Sequence, residues 1–456
     1  MNILRKKDLE SILQENKKKT LKPTLKTFDL VLFGLSAIVG SGVMVLSGIA
    51  SAAAGPAVIF SFLLAGLACA LVAMCYAEMA SAIPSSGSTY TYLYVAVGEI
   101  IAYVIGWTLL GGYILTAAAV ANGWSAYFVS LLSGFGLNIP KEFVTIPSEG
   151  GFGNVPAIIM TLCLMLLLLR GTSESKFVTN LLATIKIGIV VLFIVVGAFY
   201  VNTSNWTSNF APTGFGGVMA ASTIVFFAFL GVDAISTSAE ETINPQKTLP
   251  RGILLTLVIC TTLFILVSLV LTGTVHYSEL GTGNALFYSL HKIGQTKVAG
   301  IVSLGASIGL IAGVLSFMYA SVRISFTIAR DGLLPKKLTY VNKNQVPNIM
   351  TVIVGILTAV LTGFLPLTQL SEIANVATIC AFMLVAYSTI KFRKSHPDAQ
   401  RSFRVPAMPF IPIVAILLFA ALLYSVTLTT WLITIIWIVV GLLIYFLYSA
   451  KHSKIK

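Results

Sequence analysis

The sequence predicts an all-α membrane protein with about twelve transmembrane helices. Three observations predict it. Hydrophobic residues make up 57% of the 456 positions and charged residues only 10%, where a soluble domain carries about 25% charge to face water. The apolar residues fall in long continuous runs, near the roughly 20 residues that a spanning helix needs. The cations fall on alternate connections between those runs. Barrel strands would show ~10-residue alternating segments instead, and open sheet edges cannot survive in lipid with unpaired amides.

The chain opens on a polar, basic stretch, residues 1–27, with no apolar core of the kind a cleaved secretory signal needs. It reads as a solvated cytoplasmic tail. A short amphipathic helix through Leu9, Ile12 and Leu13, lying on the membrane surface, is the alternative. The first apolar run covers 28–50. The second, 56–82, ends near Glu78, a carboxylate read as structural at the cytoplasmic end, with Pro84 soon after. The third, 98–133, is long enough for a span plus an extension. The fourth covers 155–169 and the fifth 177–200, with Lys186 inside the fifth. The sixth covers 217–239 and closes on Glu240 and Glu241. In the NPQKTLPRG turn that follows, Pro250 suits the first position of the next helix. The seventh run, 251–274, and the eighth, 298–329, flank an external loop holding His276, Glu279 and His291, which have no metal-ligand spacing. Gly305, Gly309 and Gly313 form a small-residue face on the eighth, read as close helix packing. The last four runs are 348–365, 369–391, 407–427 and 430–449, ahead of a short C-terminal segment, 450–456.

With twelve spans, 25 of the 29 cations fall on the side of the N-terminus, leaving Lys141, Lys292 and Lys297 opposite and Lys186 within a span. Both termini are therefore expected in the cytoplasm. The formal net charge of +13 then faces anionic lipid of the bilayer and lends no support to a nucleic-acid partner. The five cysteines, Cys69, Cys75, Cys163, Cys260 and Cys380, all lie in apolar stretches. They read as small packing residues, not as a disulfide framework or metal site, and nothing in the sequence calls for a cofactor.

Two spans break their own rules. The first holds Ile38-Val39-Gly40-Ser41-Gly42 in mid-span, and the sixth holds Phe227-Ala228-Phe229-Leu230-Gly231, followed by Val232 and Asp233. Glycine weakens a helix by about 1 kcal/mol relative to alanine, and an aspartate in a span is expensive without partners. Breaks in spans one and six are the spacing of two inverted five-helix repeats, with 28–200 as the first, 217–391 as the second and 407–449 as two added spans. In such an arrangement half-helix N-termini face an anionic group, and unwound carbonyls attract a cation. An α-amino acid carries both. The plainer alternative for Gly40-Ser41-Gly42 is a kink or packing surface.

Lys186 sits in NLLATIKIGIVVLF, about two turns from the helix start. An ammonium buried there must be paired or give up its proton. It is a candidate proton carrier, or a fixed cation standing where other proteins bind sodium. Snorkelling to the nearer interface is the structural alternative.

GLSAIVGSGVMVLSG in the first span, VFFAFLGVDAISTSAEETINPQKTLPRGI around the sixth, ARDGLLP after the eighth and PSSGSTYTYLYVAVGEIIAYVIGW after the second resemble the amino acid–polyamine–organocation superfamily. Within it the sequence is similar to the bacterial branch of the cationic amino acid transporter family. The resemblance covers about residues 25–445. It implies the leucine-transporter-type fold of 5+5 inverted repeats plus two C-terminal helices, in a bacterial cell membrane, with alternating access and amino acid uptake. It implies a substrate carboxylate at the backbone of Ile38, Val39, Gly40, Ser41 and Gly42. The ammonium would meet carbonyls around Phe227, Ala228 and Leu230, in a substrate-binding segment that also includes Phe229 and Gly231, with Phe227 as a gate. Phe317 and Met318 would line the side-chain pocket, and Lys186 would match the fifth-span lysine of proton-coupled relatives.

One departure matters. Where the family's third span reads G-W-D-x-x-x-E-Y, this one has Thr108 for the aspartate and Gly112 for the glutamate, before Tyr113. The lost charge argues against cationic substrates. The expected function is secondary transport of neutral L-amino acids, apolar or small, by proton symport. An exchanger, a cationic amino acid permease and a non-transporting sensor are the alternatives. No nucleophile–base pair or metal cluster points to an enzyme.

Overall fold

In the computed structural model the described residues are 5–10, 25–83, 87–134, 136–171, 176–207, 209–238, 242–343 and 346–454. The expectations for Ile12, Leu13, the lysines between 17 and 22, Pro84, Glu240, Glu241 and Lys456 fall outside them.

The described chain is helical, with only two isolated β-bridges, Leu25 to Thr242 and Val341 to Pro347. The first apolar run divides into α1 (Thr27–Ile38), a π-helical turn (Gly42–Leu46) and α2 (Ser47–Ala54). After a bend at Gly55 and Pro56 comes α3 (Val58–Ala82). Then follow α4 (Ser88–Ala96), α5 (Glu99–Gly134), α6 (Val155–Leu169) and α7 (Lys176–Ala198). The sixth run divides into α8 (Gly214–Phe226), a 3₁₀ turn (Phe227–Phe229) and α9 (Val232–Thr237). The remainder is α10 (Pro245–Thr274), α11 (Ala285–Lys292), α12 (Thr296–Arg330), α13 (Asn348–Phe364), α14 (Leu367–Ser395), α15 (Phe410–Tyr424) and α16 (Leu428–Ile444).

Among the described residues, seven helical stretches are long and apolar enough to cross a membrane: Gly42–Ala82, Glu99–Gly134, Leu181–Ala198, Pro245–Thr274, Thr296–Arg330, Leu367–Ser395 and Leu428–His452. Five shorter apolar helices, Thr27–Ile38, Val155–Leu169, Gly214–Phe229, Asn348–Phe364 and Phe410–Tyr424, lie within other apolar runs of the sequence. Helices apolar all round belong in lipid. Leu67, Val258, Ile301, Leu417 and Ile436 are each more than half exposed on the outside of the bundle. Its interior is lined by α5, which packs along α12 and α14, and by α3 against α10.

Three local features depart from the expectation. Pro250 does not start a helix: α10 begins at Pro245, with Pro250 inside it. Pro245 already holds the first position, where a missing N–H is harmless, and Asn244 adopts the left-handed conformation before it (φ 49°). Two short helices, α4 and α11, were not anticipated. In the loop around α11, Lys292 and Tyr288 hydrogen-bond Glu279 and hold its carboxyl below the usual range.

Buried charges tie the bundle together at the end where Arg5, Lys7 and Ser453 meet Glu99 and Asp331. Glu78, fully buried, accepts from Arg393 Nε at 2.7 Å and Nη2 at 2.6 Å, from Arg401 Nη1 at 3.3 Å and from Val405 N at 2.7 Å. It thereby joins α3 to α14 and to the segment that follows it. Glu99 at the start of α5 accepts from Tyr94, Tyr445 and Arg5, while Lys7 pairs with Asp331 at 2.7 Å.

Candidate functional site

The site begins with two interrupted helices lying against each other. In the first, Val39 leaves helical geometry (φ −73°, ψ 99°), and the helix resumes at Ser41. In the second, Leu230 is extended (ψ 134°) and Gly231 is left-handed (φ 107°) before α9 begins. Only glycine adopts that last conformation at little cost. The two breaks touch. A Cβ added to Gly42 would stand 2.1 Å from Ala228 Cα, so the backbones meet with no side chain between them.

A helix start leaves its first amides without intrahelical acceptors, and a helix end leaves its last carbonyls without donors. Here the new start at Ser41 to Val43 and the ends of α1 and α8 lie together in mid-bundle. They enclose a water-accessible cavity of about 20 Å³, room for a water or two and no more. The halves are thus closed on one another.

Of the residues expected from the sequence, Ile38, Gly40, Ser41, Gly42, Phe227, Leu230, Phe317 and Lys186 line this cavity. Val39, Ala228, Phe229, Gly231 and Met318 do not. Val39 and Ala228 form the break backbones themselves, and Gly231 packs on Ala37. Phe229 turns away to stack edge-on against Phe264, 5.4 Å between ring centres. Met318 is fully buried elsewhere on α12. Ala37, Val120, Gly309, Leu310 and Gly313 complete the lining and were missed. The signal was present in the small-residue face of α12. Gly305 does seat a packing side chain, Ile189, whereas Gly309 receives Lys186 and Gly313 faces Val120.

Lys186 is 2% exposed. Its Nζ donates to the carbonyl oxygen of Ser36 over 2.8 Å. That carbonyl belongs to the last turn of α1, the negative end of the helix dipole. No carboxylate lines the cavity among the described residues. Asp233, in the first turn of α9, instead accepts from Tyr113 OH at 2.6 Å, and Tyr113 lies beside Phe317 (ring centres 6.2 Å apart). On α5 Gly112 faces α14, where an added Cβ would stand 2.9 Å from Ala377 Cβ. Thr108 turns its hydroxyl back to Val104 O at 2.7 Å.

Comparison with known proteins agrees with this architecture. A family described as amino acid permease matches residues 25–444. The chain is 45% identical to the methylthioribose transporter of Bacillus subtilis (strain 168), over 99% of each chain. It is 41% identical to the branched-chain amino acid permease BcaP of the same organism, over 100% of this chain and 99% of the relative. It is 35% identical to human cationic amino acid transporter 4, over 87% of this chain and 63% of the relative.

Proposed function

The chain belongs to the amino acid permease family, and from that premise we propose that it moves neutral L-amino acids across the cell membrane by proton-coupled symport. The observation that carries the reading is the meeting of two interrupted helices at one cavity whose lining holds an ammonium and, among the described residues, no carboxylate. The substrate carboxylate faces the amides of Ser41 to Val43, where the helix start favours an anion. The substrate ammonium faces the carbonyl ends of the Phe227–Phe229 turn and α1. Val120, Leu310, Phe317 and the glycines of α12 give the closed cavity a largely apolar wall, and a side chain received there as the halves part would be branched-chain or small rather than lysine or arginine.

In this reading twelve spans cross the bilayer with both termini in the cytoplasm. Residues 28–200 and 217–391 are the inverted repeats, and 407–449 adds two helices. The two repeats rock about the breaks, with Phe227 as the gate over the substrate. Lys186 couples the proton. Protonated, it caps α1 through Ser36; deprotonated, it releases that helix end.

Thermal shift of the purified protein with the twenty amino acids tests the substrate class, since a ligand that binds the folded state raises the melting point by mass action. Neutral amino acids raise it. A response confined to lysine and arginine overturns the reading. The 45% identity to the methylthioribose transporter favours a second reading, transport of that uncharged thioether sugar. Stabilisation by methylthioribose and by no amino acid would select it.

A further inference from the structure

The outward face of α12 changes its chemistry part-way along. Steps of three, four, seven and eleven residues stay on one side of a helix. Ile301, Leu304, Ile308, Tyr319, Arg323 and Arg330 follow one another by such steps, and all six are exposed. The stripe is apolar first, aromatic at Tyr319 and cationic at its last two positions.

Past Arg330 the chain turns at Gly332 (φ 87°), and a 3₁₀ turn, Lys336–Thr339, packs back on α12. Leu333 and Leu334 are buried and Ser449 Oγ donates to Leu333 O, so this segment is held in place. Lys336, Lys337 and Tyr340 stay exposed, which gathers four cations at one corner with Arg323 and Arg330. The one acid in residues 296–343, Asp331, turns inward to Lys7 Nζ and Tyr90 OH, each at 2.7 Å. Elsewhere at this end of the bundle Arg5, Arg393 and Arg401 are matched by the buried carboxylates of Glu99 and Glu78. Arg323 and Arg330 have no such match among the described residues.

Depth in the bilayer decides what these cations meet. The 35 residues of α12 make a rod about 52 Å long, against roughly 40–45 Å for a bilayer with its headgroups. Measured from Lys297 near the other end, Tyr319 lies about 33 Å along and Arg323 about 39 Å. That places the tyrosine in the aromatic belt and the first guanidinium among the phosphates, whose oxygens a guanidinium grips in pairs. We propose that this corner is a docking site for an anionic phospholipid. Arg323, Arg330, Lys336 and Lys337 hold its headgroup, and an acyl chain passes Tyr319 towards Ile308. An acidic peptide would match the charge but leave the apolar part of the stripe unused. The leaflet is the one next to the N-terminal segment, since Lys7 pairs with Asp331 beside Arg330.

Titration of the purified full chain in neutral detergent with dioctanoyl phosphatidylglycerol tests this, with dioctanoyl phosphatidylcholine and glycerol 3-phosphate as the other arms. The expected result is saturable binding of phosphatidylglycerol. The other two bind at least about tenfold more weakly, since one lacks net charge and the other lacks acyl chains. Affinity for phosphatidylglycerol falls at least about tenfold when Arg323→Gln is combined with Arg330→Gln, and several-fold when Lys336→Gln is combined with Lys337→Gln. Removing two exposed cations from the start of α10, Lys247→Gln with Arg251→Gln, leaves it within about twofold. Absence of saturable binding overturns the proposal. So does equal binding of phosphatidylcholine or of glycerol 3-phosphate, an equal loss in the α10 variant, or affinity unchanged in both the arginine and the lysine variants.

Discussion

The ammonium of Lys186 caps the C-terminal end of α1 through Ser36 O, 2.8 Å away, while its aliphatic stem lies on Gly309 of α12. One side chain on α7 therefore touches both the broken first helix and the helix across the cavity. Snorkelling to an interface does not describe this residue, because its head points into the bundle and is 2% exposed.

Replacing Lys186 by alanine removes the ammonium that caps that helix end through Ser36 O. A hydrogen bond involving a charged group contributes about 1.5–3 kcal/mol, so proton-driven uptake into proteoliposomes falls by roughly tenfold or more, and what remains no longer depends on external pH. Unchanged pH dependence in Lys186→Ala removes the coupling role.

The two glycines beside Ser41 respond differently to a methyl group. At Gly42 a Cβ meets the Ala228 backbone at 2.1 Å, whereas at Gly40 nothing stands within 4 Å. Overpacking of this kind costs about 1–3 kcal/mol. Gly42→Ala lowers the melting temperature and abolishes uptake, and Gly40→Ala melts close to the wild type. Equal melting of the two variants contradicts the close approach of the breaks.

Under the proposed function, side-chain selection falls to the face where Gly313 meets Val120. A Cβ at Gly313 would sit 3.3 Å from Val120 Cγ1 and take one methyl's worth of space from whatever opening forms there. A difference of that size in an apolar pocket is worth about 1–3 kcal/mol. In competition uptake, Gly313→Ala weakens leucine about tenfold and leaves alanine nearly unchanged.

The breaks were legible because glycine and aspartate in an apolar run violate what a membrane helix requires, and Lys186 was legible for the same reason. Residues that obey the rules gave no such signal. Val120 and Leu310 are ordinary apolar residues whose place at the cavity comes from tertiary packing, and Gly309 and Gly313 share a helix face with Gly305, which does only pack. Phe229 and Met318, which the family resemblance implies as site residues, do not line the cavity. At 3.6 residues per turn, a step of one or two positions points a side chain to another face, which is where both lie. The same limit applied to Pro250, since either proline of the NPQKTLPRG turn could begin the helix.

Glu78 bears on stability. Its carboxylate is fully buried and pairs with both Arg393 and Arg401. Removing one partner of such a cluster leaves uncompensated charge and costs about 3–5 kcal/mol. Glu78→Gln therefore shows a large drop in melting temperature. A double variant, Glu78→Gln with Arg393→Met, recovers part of it. A melting point unmoved by Glu78→Gln contradicts the structural role.

The most direct test of the central claim, that the paired breaks hold both charged ends of one zwitterion, is competition against the uptake of labelled leucine by two analogues with a single charge each. 4-Methylpentanoate keeps the carboxylate and isopentylamine keeps the ammonium, on the same apolar body. The account predicts that excess unlabelled leucine blocks uptake while each analogue competes at least about a hundredfold more weakly, since each forfeits a set of charge-assisted bonds. Competition by either analogue as strong as that by leucine would contradict it.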